Sequence, residues 1–232
     1  MQQLGVIGGM SWESTASYYR LLNQGVRERA GGLHSAPLLL HSLDFAQVAA
    51  LQSSGDWKAA GALLADSAQR LEQAGATALL LATNTMHKVA PVIEAAVSIP
   101  LLHIGDAVGL ALQNAGIKRA ALLGTRFTML EDFYRLRLAE RFDIDVRIPS
   151  EEQIGEIDRV IFAELCRGVF TDESRDFYLA CLEDMRAQGC EVGILGCTEI
   201  GLLLEGVEAP LPLYDSTELH VQMGLDWMLT GD

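Results

Sequence analysis

Leu79-Leu80-Leu81-Ala82-Thr83-Asn84-Thr85 is an apolar run that stops at three polar residues, and Val192-Gly193-Ile194-Leu195-Gly196-Cys197-Thr198 repeats the pattern, setting Cys197 114 positions after Thr83. A short apolar run bounded this way predicts a strand buried on both faces, as in a parallel sheet covered by helices. A second echo, Val6-Ile7-Gly8-Gly9 against Leu122-Leu123-Gly124-Thr125, lies 116 positions apart. Two echoes at nearly one offset predict a duplication. Outward from these runs, strand signals at Leu4 to Ile7, Pro37 to Ser42, Thr77 to Leu81, Leu101 to Leu102, Ala120 to Leu123, Asp145 to Arg147, Val192 to Leu195 and Leu211 to Leu213 alternate with helical stretches. The expected fold class is α/β, with two similar parallel-sheet halves related by pseudo-twofold symmetry and the site in the cleft between them. The first half is expected over residues 1–97 plus 214–232 and the second over 98–213, with the helix from Ser216 to Leu229 packing back on the first half. The halves lack a Gly/Ser-rich or Pro-rich connection, so tight contact between them is expected.

Half of the 232 residues are hydrophobic, which suffices for a large core and excludes a wholly disordered chain. Seventeen Lys and Arg against 31 Asp and Glu leave a net charge of −14, which repels nucleic acid and anionic membrane surfaces alike. An anionic small molecule remains compatible, because clustered backbone N–H groups outweigh a distant, screened charge. The sequence shows no basic leader at Met1-Gln2-Gln3 and no apolar run long enough to span a bilayer, so a cytoplasmic location is expected. Cys166, Cys181, Cys190 and Cys197 form no CxxC pair, so no metal is expected. Three of them read as core residues, whereas Cys197 lies at a strand end.

Loops and helix N-termini at the carboxyl ends of parallel strands are where such sheets bind ligands, and all four echoed segments fall there. Val6-Ile7-Gly8-Gly9-Met10-Ser11-Trp12-Glu13-Ser14 is a Gly-rich strand-to-helix turn without the spacing of a dinucleotide site. Thr83-Asn84-Thr85, followed by the helical Met86-His87-Lys88, offers hydroxyls, an amide and helix N–H donors suited to a carboxylate, although ordinary capping uses the same residues. Cys197-Thr198-Glu199 offers the same cradle with a thiol, and a helix N-terminus is expected to lower that thiol toward neutrality. His87 reads either as an acid or base or as a residue bonded to a carbonyl, and His103, at another strand carboxyl end, either as a site residue or, the commoner outcome, as a satisfied core histidine. Glu199 reads either as a partner for a substrate ammonium or as a complement to its helix N-terminus.

Gly8-Gly9-Met10, Thr83-Asn84-Thr85-Met86-His87 and Gly196-Cys197-Thr198-Glu199-Ile200 resemble the signatures of the aspartate/glutamate racemase family, over nearly the whole chain. The resemblance implies catalysis without pyridoxal phosphate or metal, by two residues on opposite faces of the substrate, one removing the α-proton and the other delivering one. It implies a small amino acid as substrate and a homodimer, and puts the catalytic positions on Thr83 and Cys197. Asn84, Thr85 and Thr198 are the expected donors to the substrate carboxylate. Met10, Gln52, Glu199 and Thr125, the last as the repeat mate of Gly9, complete the substrate-binding candidates.

Two positions depart from the family pattern. Thr83 stands where cysteine is usual, and an alcohol ionises too high to hold a resting base, though it can relay or donate a proton. Near Ile161-Phe162-Ala163-Glu164-Leu165-Cys166-Arg167-Gly168, the lysine that binds the distal carboxylate in two-cysteine members is replaced by Cys166, with Arg167 adjacent. Aspartate or glutamate is therefore the first expectation and a broader range the second. Other readings are a one-cysteine decarboxylase or cis-trans isomerase of small diacids, and a catalytically idle amino-acid-binding module.

Overall fold

The computed structural model describes residues 1–230 and divides them into two compact units, one of residues 1–104 and 220–230, the other Gly105–Leu219. In the first unit β1 (Leu4–Gly8) leads into α1 (Trp12–Ala30), β2 (Leu38–Ser42), α2 (Phe45–Ser54), α3 (Trp57–Gln73), β3 (Ala78–Leu81), the 3-10 turn Thr85–Val89, α4 (Ala90–Glu94) and β4 (Leu101–Leu102). The strands are parallel in the order β2-β1-β3-β4. Alternate side chains serve opposite faces, as the pleat requires. Ile7, Leu79 and Leu81 join Leu64, Ala68 and Leu71 of α3 in one core cluster. Leu4, Val6, Ala78 and Leu80 join Tyr18, Leu22 and Val26 of α1 in the other, together with Val221, Leu225 and Met228 of the closing helix.

α5 (Ile104–Asn114) carries the chain into the second unit, which contains β5 (Arg119–Gly124), α6 (Arg126–Leu130), α7 (Asp132–Phe142), β6 (Asp145–Arg147) and α8 (Glu151–Ala163). The 3-10 turn Leu165–Arg167, α9 (Asp172–Ala187), β7 (Val192–Gly196), α10 (Thr198–Leu203) and β8 (Leu213–Asp215) follow, and α11 (Ser216–Leu229) returns the chain to the first unit at His220. These strands are also parallel, in the order β6-β5-β7-β8. The duplication extends to register: Ile7 pairs with Leu81 in β1·β3, and Leu123 pairs with Leu195 in β5·β7.

Two elements differ from expectation. β8 starts at Leu213 rather than Leu211, because Pro212 has no N–H and supplies only its carbonyl, to the Gly193 amide at 2.9 Å. The segment around Met86-His87-Lys88 is a 3-10 turn that leads directly into α4, whose first turn contains Pro91. Among the described residues no helix is long and apolar enough to cross a membrane.

Candidate active site

In the first unit the candidates gather where β1 and β3 end. The chain leaves β1 through Gly9 at φ +88, and a Cβ there would lie 2.1 Å from the Leu43 carbonyl oxygen and 2.5 Å from its nitrogen, so this turn admits only glycine. The Gly9 amide donates to Thr15 Oγ1 at 2.7 Å, and that hydroxyl donates to the Ser11 carbonyl at 2.9 Å. Ser11 caps α1 by accepting from the Ser14 amide at 3.2 Å, while Ser14 Oγ donates to the Ala82 carbonyl at 3.3 Å. The end of β3 is thus tied to the start of α1. The hydroxyl-rich run Ser11-Trp12-Glu13-Ser14-Thr15 carried that signal as a helix cap, but only packing shows what it holds.

Thr83 is half-buried just beyond β3, its amide donating to the Leu81 carbonyl at 2.8 Å. Asn84 precedes the 3-10 turn without a capping bond from its side chain, and Asn84 and Thr85 are buried. Met10 is buried after Gly9, and Gln52 of α2 is buried with its amide donating to Met86 Sδ at 2.9 Å, next to Thr85. His87 and His103 are buried with ring centroids 4.4 Å apart. His87 Nδ1 lies 2.8 Å from the Thr83 carbonyl, which is the carbonyl-bonded reading of that histidine.

In the second unit the candidates gather where β5 and β7 end. Thr125 caps α6, accepting from the Thr128 amide at 3.3 Å. Cys197 is the extended residue before α10, with its thiol buried and donating to Glu199 Oε2 at 3.0 Å. Thr198 Oγ1 is 3.0 Å from Thr217 Oγ1, and Glu199 is itself buried. Cys181 and Cys190 are buried core residues, whereas Cys166 is half-buried and Arg167 exposed in the turn Leu165–Arg167.

One expectation is overturned. Instead of falling toward neutrality, the Cys197 thiol is pushed well above the ordinary cysteine range, first by burial, then by the Glu199 carboxylate and by Cys166. The Glu199 amide acts in the opposite sense and is outweighed. α10 has only 6 residues, so its terminus opposes a full desolvation cost with little dipole. At rest Cys197 is therefore a protonated donor to a carboxylate. Tyr178, which no motif singled out, lies close enough to feel Cys197; burial first, and then that thiol, raise its phenol well above the usual range. Asp215, at the end of β8, accepts from the Thr217 amide at 2.7 Å and the Glu218 amide at 3.2 Å, and burial raises it to about 6 in spite of those donors.

Two α/β units of one strand order, with a hydroxyl after the third strand of one and a thiol–carboxylate pair after the equivalent strand of the other, define a duplicated fold. The chain belongs to the Asp/Glu/Hydantoin racemase family, whose model matches residues 7–224, and membership places it among the isomerases. It is similar to the crystal structure of a candidate Asp/Glu racemase from Yersinia pestis, with 46% identity, TM-score 0.93, and coverage of 99% of this chain and 100% of that one. An aspartate racemase homologue from Pyrococcus horikoshii OT3 is 30% identical with TM-score 0.85, over 98% of this chain and 99% of that one. The broad specificity amino-acid racemase RacX of Bacillus subtilis (strain 168) is 22% identical over 152 residues, which are 66% of this chain and 65% of that relative's length.

Proposed function

We propose that this protein racemises small amino acids, aspartate and glutamate first, without a cofactor, by moving the α-proton between Cys197 and Thr83. The observation that carries the reading is the Cys197 thiol donating to the buried Glu199 carboxylate at 3.0 Å, at the strand end that repeats the position of Thr83. Removing an α-proton needs a base, and a resting thiol becomes one only when its own proton can leave. Glu199 is placed to take that proton, so Cys197 and Glu199 act as one unit: the carboxylate receives the thiol proton, the thiolate removes the α-proton, and Thr83 delivers a proton to the opposite face. In the reverse direction Thr83 must remove the proton, which an alcohol does poorly, so exchange starting from that enantiomer is slow.

The enantiomers have equal free energy, so kcat/KM for full racemisation is equal in both directions. The inequality of the two carriers is therefore read in α-hydrogen exchange without inversion. Asn84, Thr85 and Thr198 are the proposed donors to the α-carboxylate, with Met10, Gln52 and Thr125 completing the binding set. Cys166 and the exposed Arg167, in place of a lysine, support a wider substrate range, in keeping with the broad specificity of the Bacillus relative. A cytoplasmic homodimer is part of the same reading, and light scattering checks its mass.

The test is α-hydrogen exchange in deuterated water for both enantiomers of aspartate, glutamate and a panel of other amino acids. Cys197→Ala is expected to lower exchange by at least about 10³-fold. Undiminished exchange in that variant would refute the role of Cys197, and wild-type exchange identical for both enantiomers would refute the unequal pair.

A further inference from the structure

The first unit buries a histidine group that the proton transfer does not use directly. His87 Nδ1 is 2.8 Å from the Thr83 carbonyl oxygen, an acceptor only, so Nδ1 carries the ring proton. The Ile104 amide, a donor only, is 3.2 Å from His87 Nε2, so Nε2 is the bare nitrogen. The two partners select the neutral Nδ1–H tautomer. His220 obeys the same logic with the nitrogens exchanged: Nε2 is 2.6 Å from the Leu102 carbonyl and Nδ1 is 2.7 Å from the Tyr18 hydroxyl, which selects Nε2–H. The His87 ring meets His103 at 4.4 Å and His220 at 5.7 Å, edge to face.

The His87 bonds and its ring contact with His220 bring together three places along the chain. Thr83 follows β3, Ile104 is the last residue before the chain enters the second unit, and His220 is the first residue on its return. Together with the Thr83 amide bonded to Leu81, the His87 bond pins both backbone polar groups of Thr83. A residue so held cannot rotate its peptide, so the Cα from which its side chain projects keeps one station relative to the sheet.

We propose that His87 is a positioning residue, a neutral imidazole fixed in the Nδ1–H tautomer that holds Thr83 in register for proton transfer and ties it to the chain crossing at Ile104. The proposal rests on the reading of Thr83 as a proton carrier. It excludes His87 as the acid or base itself, because both nitrogens are committed to backbone groups. Misplacing a reacting group by about 1 Å can cost about 100-fold, which sets the expected size of the effect.

The experiment combines nitrogen NMR of the wild type with rates of full racemisation, which needs both proton carriers, in His87→Ala, His87→Asn, His87→Gln, Thr83→Ala and the double variant His87→Ala with Thr83→Ala. In the wild type His87 is expected to show a protonated Nδ1 and a bare Nε2 at neutral pH; an imidazolium, or the opposite tautomer, overturns the proposal even if no variant folds. His87→Ala and His87→Gln are expected to lower kcat about 100-fold with KM little changed. His87→Asn keeps a donor near the Nδ1 position and is expected to recover most of that loss. In the Thr83→Ala background, removing His87 is expected to cost nothing more. If Thr83→Ala is crippled but His87→Ala is not, or the two losses multiply, the positioning role falls while the Thr83 reading stands. If Thr83→Ala is unimpaired, the Thr83 reading falls and takes the positioning role with it.

Discussion

At the residue scale, the instructive case is Cys197. Its neighbour two positions on, Glu199, lies in the same short segment, yet the effect of the pair is decided by desolvation. Burial works first against the thiolate and the carboxylate works second, so the thiol rests protonated. Glu199→Gln removes the charge and keeps the shape. The pH midpoint for alkylation of Cys197 by iodoacetamide is expected to move down, because a repelling charge is gone, while burial still holds the thiol above the ordinary range. α-Hydrogen exchange is expected to slow by about 100-fold in the same variant, since a neutral amide cannot store the thiol proton. A midpoint that stays put or rises would show that Glu199 does not face the thiol as a carboxylate. Cys197 and Thr83 were legible as strand-end residues from the two apolar runs alone. The protonation of the thiol was not, because it depends on how far water is excluded and on a residue distant in sequence, Cys166.

At the element scale, each unit repeats one arrangement: a central parallel pair, a glycine where the first strand ends, and a polar residue where the third ends. The β1 turn shows how demanding that arrangement is. Gly9 and Gly55 share positive φ values, +88 and +71, but a Cβ at Gly9 would meet the backbone of Leu43 at 2.1 Å, whereas none of the described atoms lies within 4 Å of one at Gly55. Gly55→Ala is thus expected to cost about 1 kcal/mol, the ordinary strain of a left-handed helix cap. Gly9→Ala adds a backbone clash to the same strain and is expected to cost at least about 2 kcal/mol more. Urea unfolding midpoints of the two variants check this, and equal losses would mean that the Leu43 segment yields freely. The strand runs and the Gly9 turn were readable from composition and spacing, since both depend on local sterics. The late start of β8 follows from Pro212 lacking a donor, a signal present in the sequence but outweighed there by the apolar Leu211 and Leu213.

At the scale of the whole molecule, two titratable groups, one buried and one mostly so, pull stability in opposite directions with pH. Burial pushes His220 from 6.5 down to about 4, so its contribution is full above 6.5 and is lost as pH falls toward 4. Burial raises Asp215 from 3.8 to about 6, so its contribution is full below 3.8 and is lost as pH rises through 6. Each displacement corresponds to about 3 kcal/mol, an upper bound for the partly accessible Asp215, so within the shared window of roughly pH 4 to 6 the two slopes nearly cancel. Relative to wild type, Asp215→Asn is expected to gain stability as pH rises through this window, and His220→Gln to lose it. Denaturant unfolding of both variants at several pH values checks the pair, and parallel curves for variant and wild type would contradict it.

By itself the sequence determined the α/β class, the duplication, the strands and the two residues at their repeated ends, because those depend on hydrophobic periodicity and on what glycine and proline permit locally. Tertiary structure alone decided that Cys197 rests as a thiol on Glu199, that His87 serves Thr83 through its backbone, and that Asp215 and His220 titrate far from their usual ranges. The reason is that burial and hydrogen-bond partners are properties of space: the partners of His220 are Tyr18 and Leu102, 202 and 118 positions away, and no local pattern records that they meet.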